Sequence, residues 1–152
     1  MKGKKLIQLL QSLREEEFKR LQSFIQSPFH NSNKRLLKVY RLLKLHFPDF
    51  QSKQLEEKRL FSQLFPGDQF DDYKLRRLFS QFTKLVEQYL THLELEEQDF
   101  IASKLYVKAL SRRDTYPQFV KEIKGLKGSL ISQAFRDEEN YFEETMNGQT
   151  KW

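Results

Sequence analysis

Apolar residues across Leu55–Leu95 return at intervals of three and four, which predicts a short helix, a tight turn and a long amphipathic helix. In the long part Leu75, Leu78, Phe79, Phe82, Leu85, Val86, Tyr89, Leu90 and Leu93 share one side, at about 100° per residue. Tyr73, Arg76, Arg77, Ser80, Lys84, Glu87 and Thr91 occupy the other. Pro66 disfavours helical geometry at Phe65, so the short helix stops there with Leu60, Phe61, Leu64 and Phe65 inward. Gly67 supplies the positive φ of a tight turn. Asp71 is placed to cap the long helix, with Phe70 against Leu75 as a hydrophobic staple.

The same period places other helices before and after this centre. A first helix covers Lys4–Gln11, with Leu6, Ile7 and Leu10 inward. Ser12-Leu13-Arg14-Glu15 has the form of a capping box and predicts the start of a second helix, ending near Ser27-Pro28, with Phe18, Leu21, Phe24 and Ile25 on its buried face. Asn31, Ser32 or Asn33 caps a third, which ends at Phe47-Pro48 and turns Leu36, Val39, Tyr40, Leu43 and Phe47 inward. Beyond Thr91 no Gly or Pro occurs until after Thr115, and the stripe drifts out of phase through Ile101, Leu105, Val107 and Leu110. One bent helix and two helices broken near Glu96–Asp99 both fit that drift. Thr115 and Pro117 open a further helix with Phe119, Val120, Ile123, Leu126, Leu130, Ile131 and Ala134 on its stripe. Asp137 caps a last short helix that Asn147-Gly148 stops in left-handed geometry.

The expected fold is all-α: a single domain over 1–148, of seven or eight helices around one long central helix. Within it, 55–95 is a helix-turn-helix-like centre, 115–147 a C-terminal helical hairpin, and 149–152 a fraying tail. Composition agrees, since 14 Phe and few Gly and Pro suit packed helices. No apolar run reaches the ~20 residues that span a bilayer, and Gln8 and Gln11 interrupt the N-terminal one. With no Cys, disulfides and thiolate chemistry are excluded. The expectation is a monomeric cytoplasmic protein that does not enter membranes.

Motifs for catalysis are missing. His30, His46 and His92 lie on separate elements, without HExxH spacing. Asp68, Asp71 and Asp72 lack the alternating ligands of a calcium loop, and capping explains them. Gly125-Leu126-Lys127-Gly128 has the outline of a KH-domain GXXG loop, but that module needs a sheet; close helix packing at small residues is the preferred reading. No enzyme, no cofactor and no metal is expected.

Charge adds a second pattern. Of the net +6, residues 1–52 carry eleven Lys/Arg against four Asp/Glu. Between His30 and Pro48 there is no acid, and Lys34, Lys38 and Arg41 line up opposite the apolar stripe of the third helix. Such a row is either a solvated face or an anion-binding one. The long helix carries Lys74, Arg76 and Arg77 early and Glu94, Glu96 and Glu97 late, against its macrodipole. Either phosphates or tertiary salt bridges would account for that order.

Leu60-Phe61-x-x-Leu64-Phe65-Pro66-Gly67 followed by Asp71-Asp72-x-x-Leu75-Arg76-x-Leu78-x-Ser80 is similar to the helix-turn-helix of response-regulator-type winged-helix domains. That resemblance implies that Arg76, Arg77, Ser80, Gln81 and Lys84 face the major groove of DNA; on such a reading the basic row Lys34, Lys38 and Arg41 would neutralise phosphates nearby. The chain departs from the family where a β-wing should follow, because Leu95–Ser111 reads as helix. The strings SPFHNSNKRLLKVYRLL and LFPGDQFDDYKLRRLFSQFTKLVEQYL also resemble the N-terminal part of a family of uncharacterised bacterial all-helical proteins. Members of that family continue into more helical hairpins, which implies a C-terminal region missing from this chain. Two functions are thus expected: a helical module binding a protein partner or that missing region, and, as the alternative, a DNA-binding transcriptional regulator.

Overall fold

The computed structural model describes residues 3–146, with backbone alone for 131, 133–135 and 137–146. Seven helices follow in order: α1 Lys4–Ser12, α2 Glu15–Gln26, α3 Lys34–Lys44, α4 Glu57–Leu64, α5 Asp72–Glu96, α6 Asp99–Ser111 and α7 Tyr116–Met146. A 3₁₀ turn at Lys53–Leu55 precedes α4, and the described residues contain no strand. The protein is all-α. Two compact units divide it, Met1–Leu93 and Glu94–Trp152.

In the first unit α5 is the spine. Its Leu75, Leu78, Phe79, Phe82, Leu85, Val86 and Tyr89 are buried in one cluster with side chains from α1, α2, α3 and α4. Leu90 and Leu93 pack against that cluster from its margin. Polar ties run from α5 to three of those helices. The Tyr89 hydroxyl donates to the Glu17 carbonyl at 2.6 Å, Asn33 Nδ2 to Gln81 Oε1 at 2.9 Å, and Lys5 pairs with Glu87. A stripe this wide serves several neighbours, as its nine apolar positions require, and not one two-helix seam.

Local signals act where the sequence places them, with some exceptions. Gly67 takes φ 84° in the turn, and the Asp71 carboxylate accepts from the N–H groups of Tyr73 and Lys74 at 2.9 and 3.1 Å. Phe70, expected against Leu75, lays its ring edge-on to Phe61, with centroids 5.4 Å apart, and stays 44% exposed. The expected capping box at Ser12–Glu15 is corrected. Ser12 is the last residue of α1, its hydroxyl donating to the Leu9 carbonyl, and Glu17 accepts from the Arg14 N–H at 2.8 Å instead. Glu17 also meets the Arg14 guanidinium, and that contact holds its carboxyl below the usual range.

The second unit differs more. A turn at Glu97-Gln98 separates α5 from α6, so the stretch after Thr91 is two helices. The hairpin expected within 115–147 is also corrected. α7 runs unbroken from Tyr116 to Met146, and its hairpin partner is α6. Asp137 lies inside α7 and starts no helix. Gly125 and Gly128 fall mid-helix with nothing within 4 Å of an added Cβ, so they form neither a loop nor a close helix crossing. Thr115 turns its hydroxyl back onto the Leu110 carbonyl at 3.0 Å. The expected stop at Asn147-Gly148 and the tail over 149–152 lie outside the described residues. No helix among the described residues is long and apolar enough to cross a membrane.

Candidate binding surfaces

The eight basic and polar residues singled out in the sequence occupy two separate places in the first unit. Arg76, Arg77, Ser80, Gln81 and Lys84 line one shallow hollow of about 490 Å³ together with Tyr73. They gather there because steps of three and four put them on the solvent side of α5. Lys34, Lys38 and Arg41 line a groove of about 520 Å³ between the end of α2 and the face of α3, among Ile25, Pro28 and Leu37. The two places share no lining residue.

A smaller hollow of about 370 Å³ shares Arg77 and Gln81 with the first and adds Asn33, Arg35 and Lys74, a grouping the sequence pattern does not predict. Asn33 caps α3 through Oδ1, which accepts from the Arg35 N–H at 3.0 Å, while its Nδ2 reaches Gln81. Arg35 lies over the Phe65 ring, 4.5 Å from its centroid. Cation–π contact holds that guanidinium in place. Only the cap signal of Asn33 was readable in advance.

The reversed charge order on α5 now has a local cause. Lys74 pairs with Asp68 at 3.0 Å and Arg76 with Asp72 at 2.9 Å, so acids at the head of the helix answer its early cations. Arg77 and Lys84 make no ion pair with any described residue. These pairs lie at the surface, and each contributes about 1 kcal/mol or less.

A third surface belongs to the second unit. On α6, Ile101 is 47% exposed, Leu105 52% and Tyr106 50%, while Leu110 is its one buried residue. Ile101 and Tyr106 stand about 140° apart around the helix, so a single packed neighbour leaves one of them uncovered. On α7, Tyr116 and Leu130 are exposed as well.

The histidines lie on separate elements, and two of their rings come near each other. His30 stacks on Phe24 with centroids 4.0 Å apart, and the His92 ring is 5.8 Å from that of His30. No group of three or more His, Cys, Asp or Glu side chains able to hold a metal occurs among the described residues.

Comparison with protein-family models, curated proteins and solved structures returned no match.

Proposed function

We propose that this chain is a non-catalytic helical interaction module that holds a protein partner on the apolar surface of α6–α7. The partner is a separate protein or a further stretch of a longer chain that carries this sequence. One observation carries the reading: the hairpin leaves Ile101, Leu105 and Tyr106 half exposed and buries Leu110 alone on α6. Interface cores are built from aromatic and aliphatic side chains of this kind. The free chain is a monomer on this reading, because α5 spends its stripe within its own unit.

Site-specific photo-cross-linking in cells tests it. A photoreactive residue at Leu105 should give a discrete protein adduct, or an internal cross-link in a longer chain, and Ile101→Ser with Tyr106→Ser should abolish it. The same group at exposed Gln63 on α4 should give none. Equal labelling at both positions, or none at either, contradicts the proposal.

A second reading, DNA binding, is favoured by the hollow that collects Arg76, Arg77, Ser80, Gln81 and Lys84. On that reading affinity for duplex DNA falls with salt, the logarithmic slope being about −0.9 per phosphate contact. Arg76→Ala should reduce discrimination between sequences by about 1–3 kcal/mol. Fluorescence anisotropy at two salt concentrations measures both. Absence of binding at low salt removes this reading.

A further inference from the structure

The groove between α2 and α3 joins two features that a solvated charge run does not need. Its floor is apolar, made by Ile25, Pro28 and Leu37, and its wall on α3 carries Lys34, Lys38 and Arg41. The α3 residues follow one another at steps of three and four, so they form one strip about 10 Å long. None of the three cations pairs with a carboxylate of any described residue. The acid-free run is longer than the helix itself: from Phe18 to Pro48 the chain has no Asp or Glu. These cations therefore repel one another, and no ion pair with a described residue offsets that.

The opposite wall is fixed. Asn31 Nδ2 donates to the Ile25 carbonyl at 2.9 Å and to that of Asn33 at 3.1 Å, while its Oδ1 accepts from the Asn33 N–H at 2.8 Å. One side chain thus ties the end of α2 to the start of α3, and the groove is formed before anything binds. The residue after Pro28 is Phe29, 92% exposed, with its ring edge-on to His30. Phe29 is not one of the residues that line the groove, but it follows Pro28, which is, and leaves a large apolar side chain in water.

We propose that this groove binds an acidic amphipathic helix of a partner protein. Leu- or Ile-like side chains of that helix fill the floor over Ile25 and Leu37. Its carboxylates, at steps of three and four, face Lys34, Lys38 and Arg41. Charge complementarity selects the occupant: three unpaired cations in a row favour anions, and phosphates alone would leave the apolar floor unfilled. The proposal rests on the reading of the chain as an interaction module, but on a different face from α6–α7.

The probe is a fluorescein-labelled synthetic helical peptide with three Glu at those spacings and Leu on the adjoining face, titrated with the full chain at 0.15 M salt. Saturable binding is expected, with amide shifts at Ile25, Leu37 and Lys38 in the NMR spectrum. Lys38→Glu with Arg41→Glu should weaken it at least about tenfold. Replacing the peptide's Leu residues by Ser, which keeps its charge, should weaken it about as much. Both chain positions are exposed, so far-UV dichroism should be unchanged. Lack of saturation, binding indifferent to the Leu→Ser change, or displacement of the peptide from these residues by an equal concentration of duplex DNA would overturn the proposal. A chain that cross-links through Leu105 but ignores the peptide refutes the groove alone. The reverse result refutes the hairpin alone.

Discussion

Phe82→Ala should lower stability by about 3–5 kcal/mol, measured as the free energy of unfolding in urea. Phe82 is fully buried at the middle of α5, among the side chains of the single cluster that holds the first unit together. Truncation removes an aromatic ring and leaves a cavity that the surrounding helices close only in part. A cost below about 1 kcal/mol would mean that the site collapses freely, and α5 would not be the spine of this core.

Tyr40 is expected to show the second large effect and to divide it into parts. Its side chain is fully buried on α3, with its ring 5.3 Å from that of Phe18 and its hydroxyl donating to the Phe18 carbonyl at 3.0 Å. Tyr40→Ala should cost about 3–5 kcal/mol, as loss of a buried ring does. Tyr40→Phe keeps the ring and should cost only about 1 kcal/mol, the net worth of one hydrogen bond. Burial also pushes the phenol above its ordinary value of 10.0. The folded state therefore holds the proton more tightly than the unfolded one. Tyr40's contribution is complete below pH 10.0 and is lost as the pH rises through the folded value. Urea titrations of the parent chain and Tyr40→Phe should thus converge in alkali. A gap that widened above that pH would contradict the assignment.

Much of this fold was legible in the sequence because burial is written at helical spacing. Seven of the nine α5 stripe positions are buried, Gly67 has its positive φ, and Asp71 caps the helix as read. The misreadings have physical causes. Ser12 and Glu15 have the residue types of a capping box, but Glu17 reaches the Arg14 N–H, so a neighbouring acid won the same role. The pattern predicts a break in α7 because Asp137 resembles a cap, although the helix continues through it to Met146. On the surface, periodicity put Arg76, Arg77, Ser80 and Lys84 on one side of α5, and they line one hollow together with Gln81, which only the winged-helix resemblance named. It could not show that Lys34, Lys38 and Arg41 share their groove with Ile25 and Pro28, because that depends on how α2 and α3 meet. Leu37, an apolar residue among those cations and off the inward stripe, was the available hint.

The contrast between a densely buried first unit and a thinly buried hairpin is the centre of this account. Apart from Leu110, every buried apolar side chain among the described residues lies between Leu6 and Tyr89. Native-state hydrogen exchange on the full chain without partner reads that contrast residue by residue. Amides from Leu75 to Tyr89 should exchange only through global unfolding, and those of α6 should open at a free energy close to zero. Protection in α6 equal to that in α5 would contradict the account, because a hairpin so stable alone has no need of a partner.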